Sequence, residues 1–461
     1  MRHAISTLMV LLMTTWAVAE GTAAAEMEDV EVLDLVTAQQ IALHGNPQLK
    51  AAKERAAQAR LRVEQAAAHW WPDLNLTASA QHKNLSDSEY AGNQLAASLY
   101  GGNADNSSDT FVVGIQTSWL LFDGFYRRFN QEMAKADERS AEAALVNARR
   151  LLATSVAEAF YNAQLAQTNE KIARADETFY LQRLEDAENM FDAGAGARGN
   201  ILNIKVQLNL ARASRMAARR NFEAAGYGLA ALLGLPDGRL PNGVLLQPLH
   251  QDFEVESVQT DVAALLAQAL SQRPDIQEME YRVALAEAGN GLVRTAFYPQ
   301  VQIVGTINGA RQGDAVFADE DFGSTLSVNL QWNLFNGKED EARLAEARHQ
   351  KREMTHNLAA LKNAIAAEVR ENVVLLEAAK EQVRLQRDTV VLVEENRELA
   401  QNAYEAGESS LVRLNEAQRD LTTTHGRLAQ ALVNFHLARQ RLLSVTGAIL
   451  DPFPSLERTD S

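Results

Sequence analysis

The chain has no cysteine in its 461 residues. That excludes a disulfide framework, and it excludes anchoring through an acylated N-terminal cysteine. Proline is nearly as scarce. There are nine, with none between Pro72 and Pro236 and none between Pro299 and Pro452. Each of those stretches permits a very long uninterrupted helix. A basic surplus is also missing: 44 Lys and Arg stand against 60 Asp and Glu, a net charge of −16. A nucleic-acid binder needs a basic face to neutralise phosphates, so that class is disfavoured. Beyond the first residues no apolar run approaches the ~20 residues of a transmembrane helix. The histidines are scattered. His349 and His356 are seven apart, without the H-E-x-x-H spacing of a zinc site. No paired acid and base stands out, so neither catalysis, metal nor cofactor is assigned.

The N-terminus has the form of a secretory signal. Arg2 and His3 lead into the apolar Leu8–Met13, and small-residue cleavage sites follow at Ala17-Val18-Ala19 and Ala23-Ala24-Ala25. Residues 1–25 are therefore read as a signal peptide and the chain as exported, with an uncleaved anchor as the alternative.

The chain is written twice. Asn46-Pro47 has a partner in Arg273-Pro274, Trp70-Trp71-Pro72 in Phe297-Tyr298-Pro299, and Trp119–Gly124 in Trp332–Gly337. Phe191–Gly194 matches Tyr404–Gly407, and the step from Gly124 to Gly194 equals that from Gly337 to Gly407, 70 residues. Leu232-Leu233 and Leu442-Leu443 are read as the closing pairs. The first repeat spans 26–235 and the second 258–450, joined by a Pro- and Gly-rich linker at 236–257 and followed by a tail at 451–461.

Each repeat opens on Ala-, Gln- and Glu-rich helix broken at the first proline. Period-two alternation then marks strands near 73–82, 111–122, 300–308 and 325–335. In the last, Leu326, Val328, Leu330, Trp332 and Leu334 face one way, and Thr325, Ser327, Asn329, Gln331 and Asn333 the other. About ten alternating residues suit a tilted strand with one face to lipid. A half-buried soluble sheet would alternate in the same way. Four strands cannot close a barrel, and a lipid-spanning sheet must close, so spanning requires several chains. The polar stretch between Gln81 and Thr110 reads as an extracellular loop.

Long helices follow at 125–193 and 338–406, with return helices at 200–234 and 410–446. A helix of ~70 residues reaches about 105 Å. Three- and four-residue spacing of Ala141, Leu145, Ala148 and Leu152 is coiled-coil-like. The return helix is too short to cover the long one alone. The helix before the strands makes up the difference if the two stack end to end. Between long and return helix lies Gly194-Ala195-Gly196-Ala197-Arg198-Gly199, which spells G-x-G-x-x-G. A dinucleotide loop needs a strand before it within a short βαβ unit. Here a long helix precedes it, and the second copy keeps only Gly407. The stretch reads as a hairpin turn, with Gly194 and Gly407 required and Gly196 and Gly199 adding flexibility.

Ala42-Leu43-x-x-Asn46-Pro47, the Trp-x-Leu-Phe-Asp/Asn-Gly segments at 119–124 and 332–337, the Ala-Gly turns at 193–194 and 406–407, and Leu233-Gly234-Leu235 together resemble the TolC family of outer-membrane efflux proteins. The resemblance covers essentially the whole mature chain. It implies a mainly α fold with a β-barrel portion: a homotrimer whose twelve strands form an outer-membrane barrel, held in lipid, that continues into a periplasmic α-helical tunnel. It implies a passive exit duct for efflux or type I secretion, not an enzyme, docked on a periplasmic adaptor and an inner-membrane pump. It also implies acidic rings after the turn glycine that close the tunnel tip. At the sixth position this chain has Asn200 and Arg413, which depart from the family's aspartates; at the ninth it has Asn203 and Glu416. Tyr404 matches the family's gating tyrosine. Solvated helix charges remain the alternative for Arg413 and Glu416. A periplasmic coiled-coil adaptor or a structural protein remains the alternative for the whole chain.

Overall fold

A computed structural model describes Met27 and residues 30–241, 243–250 and 260–453. The signal segment 1–25, most of 451–461 and part of the linker lie outside the described residues. In chain order the elements are β1 (Val32–Leu33), α1 (Leu35–Gly45), α2 (Pro47–Ala68), β2 (Asp73–Asn84), α3 (Asp87–Ser98), β3 (Ser107–Phe122), α4 (Tyr126–Asp192) and α5 (Arg198–Leu233). There follow β4 (Leu245–Leu246), α6 (Val262–Gln272), α7 (Pro274–Arg294), β5 (Gln300–Gln312), β6 (Phe322–Gln331), α8 (Glu339–Glu405) and α9 (Leu411–Thr446). No helix among the described residues is long and apolar enough to cross a membrane.

Local chemistry sets the helix ends. The Asp34 side chain caps α1 by accepting from Thr37 N at 2.7 Å, and Asp261 caps α6 through Ala263 N at 2.9 Å. Asn46 and Arg273, each directly before a proline, are extended and end those helices. Helices α4 and α8 are each 67 residues, about 100 Å at the α-helical rise. Helices α5 and α9 are each 36 residues and stop at left-handed Gly234 and Gly447. Position in the helix therefore pairs Leu232 with Val445. Leu442-Leu443 lies earlier in α9 and is not the counterpart of Leu232-Leu233.

The chain divides into two compact units. One comprises Arg55–Glu142 and Gln277–Ala360 and carries the antiparallel sheet, in the order β2-β3-β5-β6. Register runs Asp73↔Ser118, Thr110↔Gln312 and Gln300↔Gln331. β2 and β6 are the edges, each with one side unpaired among the described residues. The alternation leaves a row of large apolar side chains on the surface, with Leu74 and Leu76 at 74% and Leu326 at 77% exposed.

Several expected strand ends move. β6 begins at Phe322 and stops at Gln331, so Trp332–Phe335 is not strand. The indole of Trp332 instead donates to Phe297 O at 3.2 Å, as that of Trp119 does to Trp70 O at the same distance. The expected loop after Gln81 holds α3, which is nucleated by a capping box between Ser86 and Glu89.

The other unit gathers the rest of the helical chain. Several apolar clusters fill it. Leu33, Ile41, Val156, Phe160, Leu229 and Leu233 form one, and Leu376, Val383, Leu432 and Phe435 a second. Phe179, Tyr180, Leu208 and Leu414 form a third near the turns. Asn46 joins two helix ends: its Nδ2 donates to Leu232 O at 2.8 Å, and its Oδ1 accepts from Gln48 N and Leu49 N. Arg273 takes this place in the second half, donating to Val445 O at 3.3 Å. Its guanidinium also grips Asp275 and Glu368, beside an equally buried Arg150 that bonds Ser444. Burial would push the Asp275 carboxyl up, but the bonds and charge of Arg273, with Arg150, hold it below the usual range.

Two measurements test this packing. Gly234 has φ +75°, and a Cβ there would lie 2.6 Å from Gly45 O. Gly234→Ala is expected to cost about 2–5 kcal/mol and lower the thermal midpoint. Gly228→Ala, with nothing within 4 Å, is expected to hold or raise it by up to about 1 kcal/mol. The His436 ring stacks on Tyr161 at 4.9 Å, and burial, with Arg439 and His250, pushes its pKa from 6.5 down to about 4. Between those values the unfolded ring binds a proton that the folded ring refuses. Stability is thus intact above pH 6.5 and falls by about 3 kcal/mol as pH drops through the window. His436→Phe keeps a stackable ring and is expected to flatten the thermal midpoint against pH over that range.

Candidate functional site

The two hairpin turns, with the polar residues just behind them, are the candidate site. Both helices end in the same backbone closure. Gly194 N donates to Phe191 O and Ala195 N to Met190 O; Gly407 N donates to Tyr404 O and Glu408 N to Ala403 O. Each glycine is left-handed, at φ +76° and +77°. This is the Schellman arrangement, in which a residue without Cβ lets the chain reverse while the last carbonyls stay bonded. The helices then restart differently. Ser410 caps α9 by accepting from Arg413 N at 3.4 Å, whereas Ala197 gives α5 no side-chain cap.

Gly196 has a steric role in the turn. A Cβ there would meet Phe191 N at 2.8 Å, so the glycine allows the turn to pack on the helix it leaves. Gly199 has open space and a helical backbone.

The predicted site residues separate into two groups. Asn203 is bonded across the hairpins, accepting from Asn415 Nδ2 at 3.2 Å. Tyr404 is half-buried and packs against the Phe179 cluster and against a second one formed by Ala187, Ile201, Ile204 and Leu411. Asn200, Arg413 and Glu416 are exposed, and their side chains make no ion pair or hydrogen bond among the described residues. The described part of one chain does not bring those three together.

A larger network escaped the sequence reading. Asp176 of α4 accepts from Gln418 Nε2 at 2.9 Å and Thr422 Oγ1 at 3.1 Å, both on α9. Arg183 of α4 pairs with Glu405 of α8 at 3.3 Å. The Arg397 guanidinium lies 5.1 Å over the Phe179 ring, with its Nε 3.4 Å from Gln418 Oε1. The Gln401 amide, then Arg183, holds the Glu405 carboxyl below its ordinary range. Burial and the neighbouring Asp176 charge push the Tyr180 hydroxyl up to about 12, so it stays neutral. One signal was available: Asn415, Gln418 and Thr422 follow i, i+3, i+7 spacing beside the apolar Leu411, Leu414 and Ala417. Asn415 and Gln418 are buried.

The described residues hold no cluster of three metal-ligating side chains. The arrangement is a polar clasp between two helical hairpins, with titratable groups left exposed on the first turns beyond the glycines.

Comparisons agree on a family. The profile described as "Outer membrane efflux protein" matches residues 38–235 and 265–448. Cation efflux system protein CusC of Escherichia coli K12 is 28% identical over 417 residues, covering 87% of this chain and 82% of that protein. Alkaline protease secretion protein AprF of Pseudomonas aeruginosa is 26% identical over 346 residues, covering 70% of each. The crystal structure of the Campylobacter jejuni CmeC outer membrane channel superposes with a TM-score of 0.76 at 17% identity, over 92% of this chain and 89% of that one. That likeness shows the same fold.

The two private glycines separate by substitution. Gly196→Ala is expected to loosen the turn, seen as faster amide hydrogen exchange at residues 190–200. Gly199→Ala is expected to leave that exchange unchanged or slow it, since alanine favours a first helical turn by up to about 1 kcal/mol.

Proposed function

The chain belongs to the outer membrane efflux protein family, and from that premise we propose that three copies assemble into an outer-membrane duct through which exported molecules leave the cell. The carrying observation is the four-stranded sheet, with two unpaired edges and an exposed row of large apolar side chains. In hydrocarbon an unpaired N–H or C=O has no water to turn to, so the edges must meet other strands. Three copies supply twelve strands, edge β2 of one meeting edge β6 of the next. The apolar row faces lipid and the Thr, Ser, Asn and Gln row faces the lumen.

In this reading the chain is two tandem repeats, each a helix, two strands, a long helix and a return helix. The long helices line a periplasmic tunnel. The tips at Gly194 and Gly407 form its far end, with Asn200, Asn203, Tyr404, Arg413 and Glu416 at the aperture. The duct is passive: an inner-membrane pump supplies the energy, and a periplasmic adaptor couples the two. CusC is named for cation efflux and AprF for protease secretion, so the cargo is assigned to the pump and not to the duct.

The purified protein, inserted in planar bilayers, is expected to conduct ions, with a mass by light scattering of three chains per particle. A silent bilayer containing inserted protein would overturn the duct. Arg413→Glu is expected to shift ion selectivity towards cations, since it converts a ring of positive charge into a negative one. Unchanged selectivity would remove Arg413 from the conduction path.

A further inference from the structure

The duplication makes a seam inside the chain the template for one outside it. After β3, the turn at Gly124-Phe125 sits on the segment that enters β5. The Phe125 and Tyr298 rings meet edge to face at 5.6 Å. A Cβ on Gly124 would lie 2.7 Å from Tyr298 Cβ and 2.8 Å from Thr295 O. The matching turn after β6 is Gly337-Lys338, and the residue matching Tyr298 is Trp71. We propose that Gly337-Lys338 of one copy seats on Trp71 of the next copy, with the Lys338 ammonium over the indole. The proposal rests on the duct reading, which supplies the neighbouring copy.

Three observations carry it. The first is the pair of turn glycines. Gly124 and Gly337 are left-handed at φ +65° and +71°, and Phe125 and Lys338, both at +72°, are left-handed as well. Those two show that a left-handed residue in this turn can carry a side chain. What leaves no room for one at Gly124 is the close approach of Tyr298 and Thr295. Gly337 has nothing within 4 Å among the described residues, so an equivalent approach has to come from another copy.

The second is the strand end that precedes each turn. Pairing of β3 with β2 stops at Asp73↔Ser118. Beyond it β3 is held by β5 alone, through Trp119↔Ile303, Leu120↔Gln302 and, past a bulge, Phe122↔Val301. In the second half, pairing of β6 with β5 stops at Gln300↔Gln331, and the matching Trp332–Phe335 is not strand. Carried through the repeat, the register of β3 on β5 places Trp332 opposite Leu76 of the next copy, Asn333 opposite Asn75 and Phe335 opposite Leu74. Apolar meets apolar and polar meets polar on each rung, as a sheet with one face to lipid needs. The seat at Lys338 then holds this end in register and extends β6 on assembly.

The third is the chemistry of the two partners. Trp71 is 77% exposed, whereas the adjacent Trp70 already has a cation, the Arg127 guanidinium, 4.4 Å from its ring centroid. Lys338 is exposed and forms no ion pair among the described residues. In the seam within the chain two rings meet. In the seam between copies an ammonium takes the place of one ring, and indole is the aromatic that attracts a cation best.

The test uses the full protein in lipid-free detergent. The chain has no cysteine, so introduced pairs report alone. Asn75→Cys with Asn333→Cys is expected to oxidise into covalent dimers and trimers, since opposite residues of an antiparallel pair lie within disulfide reach. Ser79→Cys with Asn333→Cys, displaced four residues along the same face by about 14 Å, is expected to run as single chains on denaturing gels. Lys338→Met and Trp71→Leu are each expected to speed dissociation of the trimer in dilute SDS about two- to fivefold. Their combination is expected to be no faster than the faster single variant, and Lys338→Arg to keep the original rate. Cross-linking through Ser79 in place of Asn75, single variants that leave the rate unchanged, or effects that multiply in the double variant would each overturn the seat. So would a Lys338→Met effect seen only after anionic lipid is added, which would assign the ammonium to a headgroup. Conductance and particle mass separate the two readings. Conducting trimers that fail these tests lose only the seat, whereas a folded protein that stays one chain per particle loses the duct.

Discussion

Two helix ends meeting at one residue is the constraint on which the rest depends. A 67-residue helix needs a partner along its length, and the return helix covers only about half of it. The remainder must come from a second helix butted against the first. Such a joint leaves the last carbonyls of one helix and the first N–H groups of the next without intrahelical partners, and burying them unpaired would cost about 1–3 kcal/mol each. Asn46 answers with a single amide. Its NH2 bonds a carbonyl at the end of α5, and its oxygen takes two N–H groups at the start of α2. Pro47 removes one N–H from the problem and forces Asn46 to be extended. Gly234 lets α5 turn away while lying against the Gly45 carbonyl, where any Cβ would collide.

The second half solves the same problem with different chemistry. Arg273 reaches Val445 O but cannot accept from the helix that follows. Asp275 does so instead, taking Ile276 N at 3.1 Å while binding the Arg273 fork. A neutral amide has been replaced by an ion pair, and the nearby Arg150 adds a further buried cation that Asp275 and Glu368 must balance. Removing either carboxylate would strand buried positive charge, which is costlier than losing a neutral bond. The two joints are geometrically alike and electrostatically unlike, so acid reaches one before the other.

Punctuation was the legible part of the sequence. Pro47, Pro274, Gly194, Gly234 and Gly407 act at single positions through backbone sterics, and that information is local. Strand ends were less legible, because alternation continues through Trp332 and Leu334 after the pairing with β5 has stopped at Gln331. Helix α3 was hidden by polar composition, although Ser86 and Glu89 carried a capping signature. The close approach of Gly196 to Phe191 was not legible, because it depends on how the turn folds back. The clasp at the tips was least legible. Asp176 and Gln418 are 242 residues apart, and no local pattern on α4 announces a partner on α9.

What one chain leaves unfinished is as informative as what it completes. The sheet has two open edges and an apolar face, and α5 carries Leu202, Val206 and Leu210 exposed at four-residue steps. Each would be a liability in a monomer, since exposed edges and apolar stripes invite non-specific pairing. In the proposed assembly each is half of a repeated contact. The unpaired side of β2 and that of β6 are complementary by direction, and an apolar helical stripe needs only a neighbour's helix to become a seam. A copy related by rotation satisfies all of them at once, and rotation closes a ring where translation would build a fibre. Closure in the proposed assembly would obey the rule that shaped the joints within the chain: backbone groups and large apolar surfaces find partners. The polar clasp stands apart from this logic. It connects hairpins through hydrogen bonds worth about 1 kcal/mol each and the solvent-screened Arg183–Glu405 ion pair. The joint at Asn46 is built to hold, while the two hairpins are fastened by bonds weak enough to exchange.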